Sequence, residues 1–293
     1  MALTIPCQNT NVVSLGDFIE HVSSTVDCKD PESVASVAPM LRALANDRHL
    51  VLLALHQQMR DLFSNQRVPT TQVVVLGGGM DFYVRADIWP AAEAAGSPTY
   101  REQAAIYNCG TGQSFPCLMT GHFGPGLIND LYAYDPAAII GYPGEPVPLT
   151  FVERVRLSVD QAVMFLPHGE VVHRLPPEKL SISVALMILH EIGDQHMVDM
   201  KTATLRDYAP ELPSSRRSAM LRLAGLIGDG NTQQLLDDLI VASPCPRTRL
   251  AAYEALSKLV PERTTALWER ASGDTDALVS HLASHKISGL TNG

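Results

Sequence analysis

The chain is poor in the features that most readily assign a protein to a class. Its five cysteines (Cys7, Cys28, Cys109, Cys117 and Cys245) are odd in number, scattered and without a C-x-x-C pair. That argues against a disulfide framework and for reduced thiols. The opening residues MALTIPCQNT carry neither a basic nor an apolar signal region, so a cytoplasmic location is expected. Apolar runs such as Val184 to Leu189 are far too short to span a bilayer. Charge is also sparse, at 18% Asp, Glu, Lys and Arg, and the net charge is −9. No basic face for nucleic acid or for an anionic membrane is expected from that balance. Gly77-Gly78-Gly79 follows a strand-like run, yet neither G-x-G-x-x-G nor G-x-x-x-x-G-K-[ST] occurs, and a hairpin explains the glycines. There is no G-x-S-x-G elbow and no cysteine with a neighbouring histidine, so hydrolase chemistry has no support.

What is present is ample core material, 46% hydrophobic residues over 293 positions, in three zones. Residues 1–69 read as helical: apolar residues recur at helical spacing over 15–23 and 31–63, and Asp30-Pro31-Glu32 is a suitable helix start. Residues 70–205 change to short strand-like runs, at 71–76, 81–89, 104–107, 127–134, 147–152, 155–157, 161–166, 170–174 and 180–187. Glycine and proline clusters punctuate them, as at Gly124-Pro125-Gly126 and Gly141-Tyr142-Pro143-Gly144. Such a pattern predicts a sandwich or a barrel packed against the N-terminal helices. Residues 206–293 return to short helices, with similar Ala/Leu spacing in 217–227 and 249–259, which suggests a small HEAT-like stack or a bundle.

Histidines are the chemistry-bearing residues to weigh. His122 and His173 lie 51 residues apart on strand-like segments, a workable spacing for two ligands of a facial metal triad with Asp130, Asp135 or Glu170. None forms the His-x-His or His-x-Asp pair that puts two ligands on one strand face. His168 precedes a turn. LHEIGDQH holds His190, Glu191, Asp194 and His196 without the His-Glu-x-x-His spacing, and Asp194 and His196 read as cap and solvated residues. His281 and His285 stand four apart on the last helix, where an exposed polar face is the simpler reading and chelation of a metal the sharper one.

The segments DFYVRADIWPA (81–91), IYNCGTGQSF (106–115), TGHFGPGLINDLYAYD (120–135), GYPGE (141–145) and VVHRLPPEKLSISVALM (171–187) resemble a bacterial cupin-like family, related to JmjC-type barrels. The resemblance implies a double-stranded β-helix flanked by helices, a mixed α and β fold. Metal-competent members carry His-x-His just before the position of Phe115, a Glu between the two tyrosines, and a His at position 173. In that register this chain has Thr111, Gln113 and Ala133, and only His173 remains. The resemblance therefore implies no metal and no cofactor.

The chain is further similar to the peptide-binding proteins of ribosomal-peptide pathways of the crocagin type. That likeness implies a protein that holds a precursor peptide while modifying enzymes of the same pathway act, and that can assist a cyclisation. A metal-free barrel still offers a concave site. Its expected peptide-binding residues are Arg85, Tyr107, Gln113, Phe115, His122, Tyr132, Tyr134, Arg154, His173 and Arg174, the guanidiniums suiting a carboxylate. His122 and His173 are the candidate bases. A homodimer is expected, with no nucleic acid and no membrane as partner. The alternative is a non-haem Fe(II)/2-oxoglutarate oxygenase with an atypical site on His122 and His173; a third reading is a scaffold acting through its helical region.

Overall fold

The computed structural model describes residues 2–62, 72–91, 105–167, 169–189, 195–208 and 213–291. His168, His190, Glu191 and Asp194 lie outside them. The chain divides into two compact units, Met1–Pro136 with Val147–Gly193 and Met197–Ala203, and Ala137–Pro146 with Asp194–His196 and Thr204–Gly293. No helix among the described residues is long and apolar enough to cross a membrane.

The first unit opens with a strand that the helical reading of residues 1–69 missed, β1 (Leu3–Pro6). Helices α1 (Leu15–Thr25), α2 (Pro31–Ser36), α3 (Ala38–Ala45) and α4 (Leu50–Leu62) follow. Ser14 and Asp30 cap α1 and α2 by accepting first-turn N–H groups, and Pro31 sits where its missing N–H costs nothing. The expected long helix over 31–63 is thus three. Pro39 starts a new helix at α3, and the Asp47 carboxylate accepts the His49 N–H at 2.9 Å in the turn before α4.

The strands are β2 (Val73–Gly78), β3 (Phe82–Trp89), β4 (Cys109–Gly112), β5 (Cys117–Phe123), β6 (Ile128–Ala133), β7 (Thr150–Arg156), β8 (Gln161–Phe165), β9 (Glu170–Leu175), β10 (Ser181–Ile188) and β11 (His196–Asp199). They form two antiparallel sheets. One has the order β1-β8-β5-β10-β3-β2, and in the other the strands of this unit run β11-β4-β9-β6-β7. Two expected runs, 147–152 and 155–157, are a single strand with a register shift opposite Leu131/Tyr132. Residues 105–108 form a 3-10 turn rather than a strand. Gly79 N–H closes the β2–β3 hairpin on the Phe82 carbonyl at 3.0 Å, as the triple glycine suggests. In the β5–β6 turn, Gly126 adopts φ +89°, and a Cβ there would collide with the Leu157 carbonyl oxygen.

Strand alternation sorts the first sheet into two faces. Phe82, Val84, Leu118, Ala162, Met164, Val184, Leu186 and Ile188 pack under the helices with Phe18, Val22, Leu41 and Leu44. The opposite face carries Trp89, Cys117, Met119, Val163, Phe165, Ala185 and Met187, which meet Leu131, Val155 and Val172 of the second sheet. Central strands buried on both faces read as continuous apolar runs, and β10 does so.

The second unit holds strand β12 (Thr204–Tyr208) and helices α5 (Pro213–Ile227), α6 (Gly230–Ala242), α7 (Pro246–Leu259), α8 (Thr264–Ser272) and α9 (Ala277–Thr291). The two segments of similar spacing are α5 and α7, and they pack so closely that a Cβ on Gly225 would meet Ala255 Cα at 2.6 Å. Arg249 braces the end of α7 against Asp274 through two bonds of 2.9 and 2.7 Å.

Candidate functional site

The inner face between the two sheets is not uniformly apolar. In β3, Phe82, Val84 and Ala86 lie toward the helices, and the alternate residues Tyr83, Arg85, Asp87 and Trp89 point inward. Asp87 is 2% exposed and accepts from Arg85 Nε at about 3 Å. Arg85 keeps 23% of its side-chain surface accessible although its strand neighbours pack between the sheets, so it is not fully enclosed. Arg174 enters from β9. The ladder sets Val172 opposite Leu131, both in the inner core, and Arg174 opposite Asn129. Its Nη1 donates to Thr111 Oγ1 at 3.2 Å, and its guanidinium carbon lies 6.0 Å from the Trp89 ring centre.

Two guanidiniums therefore share one carboxylate. Burial lowers the Arg174 pKa from its ordinary value, Asp87 opposes that shift, and the charge of Arg85 adds to it. Burial also works against the Arg85 cation, but Asp87 more than restores it, holding the pKa above its usual value. The Asp87 carboxyl is pushed up by burial, against the pull of Arg85 and Arg174. Glu170 shares the inner face with Arg174, but four residues along a strand is roughly 13 Å. Its Oε1 instead accepts from the Ala2 N–H at 2.5 Å. The cluster thus carries one positive charge in excess. Beside it Asn129, 1% exposed, keeps a buried Nδ2 with no hydrogen-bond partner. An orphaned amide of that kind costs about 1–3 kcal/mol unless an acceptor arrives.

The walls are aromatic and chemically quiet. Trp89 Nε1 donates to Ser183 Oγ at 2.9 Å, and Tyr107 donates its hydroxyl to the Pro90 carbonyl at 3.0 Å. Burial raises the Tyr107 hydroxyl above its ordinary value and pushes the Cys117 thiol up to about 12, so neither ionises near neutrality. Phe115 packs on the same core, and Gln113, 7% exposed, donates to the Phe115 carbonyl at 2.6 Å.

Other expected site residues lie elsewhere. His122 shares the face of Leu118 and Thr120, toward the helices, and its Nδ1 is 2.8 Å from the Ala45 carbonyl. Burial lowers its pKa, against the raising effect of that hydrogen bond. His173 is on the outer face of the second sheet, since Val172 and Arg174 take the inner one, and its Nε2 lies 3.0 Å from the Tyr107 carbonyl. Asp130 and Tyr132 share that outer face by alternation. Arg154 is already bound there by Asp130 through bonds of 2.6 and 2.9 Å, and Tyr132 meets Phe151 edge-on at 5.6 Å. Tyr134 follows β6, its N–H on the Gly169 carbonyl at 3.1 Å.

The alternative site on His122 and His173 does not come together: the two stand on different sheets, each on the face turned away from the inner core. Thr111 shares its face with Arg174 rather than with His173, and it is Arg174 that reaches its hydroxyl. Asp87, Trp89 and Asn129 were missed. The strict alternation in 81–89 was the signal for Asp87 and Trp89, but a polar face ordinarily reads as solvent-facing. Among the described residues, no group of three or more His, Cys, Asp or Glu is placed to hold a metal ion.

No protein-family model matches the chain, and no curated protein does. Among solved structures, it is similar to hydroquinone 1,2-dioxygenase PnpCD in complex with Cd2+ and 4-hydroxybenzonitrile, at 13% identity and a TM-score of 0.26, over 47% of this chain and 77% of that one. A second is a structure of prolyl 4-hydroxylases from Phytophthora capsici, at 11% identity and a TM-score of 0.23, over 79% of this chain and 84% of that one. Likenesses this slight assign neither the fold nor an activity.

Proposed function

We propose that the first unit is a carboxylate-binding barrel whose ligand is a peptide, and that it binds rather than performs metal-dependent oxidation. The observation that carries this reading is the half-buried guanidinium of Arg174, whose carboxylate neighbour among the described residues, Asp87, is already bound to Arg85. An incoming carboxylate would balance the excess charge, accept from the orphaned Asn129 amide, and lie against Trp89 and Tyr107. In a water-poor interior such a charge-assisted fork is stronger than at the surface. The reading takes the two sheets as a double-stranded β-helix, which the passage of successive strands from one sheet to the other supports. A precursor peptide as the ligand, and modifying enzymes as partners, rest on the sequence resemblance. The iron-oxygenase alternative needs His122 and His173 together, and their placement on different sheets speaks against it. Cyclisation with either histidine as base meets the same objection.

The test is titration with short acetylated peptides that end in a free carboxylate and with the same peptides amidated, followed by calorimetry. Binding that requires the carboxylate and disappears in Arg174→Met supports the assignment. Equal binding of both forms, or undiminished binding by the variant, sinks it.

A further inference from the structure

We propose a second site, in the helical unit: His281 and His285 form a two-imidazole chelate for a divalent first-row transition cation. Four residues apart on α9, the two side chains stack on one helix face. Their ring centres are 4.6 Å apart. The His281 ring is held by stacking on Tyr142 at 4.2 Å and 22°. Tyr142 belongs to a loop fixed from below, where the Glu145 carboxylate accepts the N–H groups of Ile140 at 2.7 Å and Gly141 at 2.6 Å. One imidazole is thus preorganised, and the exposed His285 is free to turn toward it.

Two observations separate this pair from a solvated helix face. The Nε2 of His281 is buried and has no hydrogen-bond partner, so a strong donor atom stands unused. Both rings also border a cavity of about 500 Å³ whose other walls include Ile140, Ser272, Ser280 and Ser284. The Ser280 and Ser284 hydroxyls donate to carbonyls one turn back, at 3.3 and 2.9 Å. Among the described residues, no carboxylate or thiolate lines the cavity, which does not suit Mg²⁺ or Ca²⁺. Neutral imidazoles suit Zn²⁺, Ni²⁺ or Cu²⁺, with water completing the shell in the space available.

The experiment is calorimetric titration of the full chain with Zn²⁺, and with Mg²⁺ in parallel, for wild type, His285→Ala and His281→Ala. One Zn²⁺ per chain is expected, with no Mg²⁺ response. Affinity should fall at least about tenfold in each variant, since losing a ligand costs no less than losing the groups that orient one. His285 is exposed, so its variant keeps the fold, and circular dichroism verifies that for both. Zinc binding that survives His285→Ala, or no saturable binding by the wild type, overturns the site. The lumen of the first unit is independent of either result.

Discussion

Replacing Arg174 with methionine is expected to stabilise the empty protein and to abolish carboxylate binding. The side chain loses a 3.2 Å hydrogen bond to Thr111 and a contact with Trp89 at the outer limit of cation–π range. Together these amount to about 1–2 kcal/mol. Against them stands removal of a half-buried cation whose carboxylate is already taken and which Arg85 repels. Exchanging buried ions for apolar groups of similar size is neutral or stabilising by about 1–4 kcal/mol. The balance favours the variant by about 1 kcal/mol, a rise of roughly 2–4 °C in Tm for a unit of this size. Arg85→Met has the opposite sign, because Asp87, 2% exposed, loses its closest partner, at a cost of about 3–5 kcal/mol. Urea unfolding at neutral pH reads both, and Trp89 fluorescence in a Trp268→Phe background reports the unit that holds the site. If Arg174→Met lowers the midpoint as Arg85→Met does, with an unchanged m-value, Arg174 is a structural residue and the excess-charge argument is wrong.

Three further outcomes follow from the same geometry. Burial holds the His122 pKa below 6.5, so its contribution to stability is complete above that pH and fades as pH falls through the lowered value. His122→Asn should flatten the pH dependence of stability below pH 6.5, and an unchanged slope there would contradict the burial argument. Arg42, 2% exposed, ties α3 to β5 through Thr120 Oγ1 at 3.1 Å and the Gly121 carbonyl. Arg42→Met strands these buried acceptors and should cost about 2–3 kcal/mol in urea, the reverse of Arg174→Met. With its pKa near 12, Cys117 should resist iodoacetamide in the native protein at pH 8 and react only on unfolding; native labelling located by mass spectrometry would contradict that.

Much of the architecture was legible. Period-two runs located the strands from β2 through β10 except β4 and β5, and Asp30-Pro31-Glu32 marked a helix start that the structure reproduces. Strands β4 and β5 escaped because CGTG and CLMTGHF lack clean alternation, and β1 because four residues ahead of a helix carry no period. The site was half legible. Arg85, Tyr107 and Arg174 were expected together and do meet around the inner core, whereas His173 misled. In β9, Val171 and Val172 are both buried, so the hydrophobic pattern does not tell which of His173 and Arg174 faces inward. A shift of one residue exchanges the faces of a strand, and only pairing with Leu131 and Asn129 decides it. In β3 the alternation was plain, but helices cover the apolar face, which turns the polar face to the interior.

What distinguishes a binding guanidinium from a structural one is the account of its partners, and this chain offers the comparison internally. Arg42 is buried with donors to Thr120, Gly121 and Asn46, and it joins two elements. Arg154 and Arg249 each hold one carboxylate in a two-bond fork, so their charge is spent. Arg174 borders the inner core, yet among the described residues it has a single hydroxyl and the remote face of an indole, while its carboxylate neighbour serves Arg85. A fold has no thermodynamic reason to keep such a cation, since an apolar side chain of equal length would fill the space at lower cost. Its retention next to a second unsatisfied donor, the Asn129 amide, is intelligible if the missing partner arrives from outside. A stability gain in Arg174→Met that coincides with loss of carboxylate binding would tie the two facts to one cause.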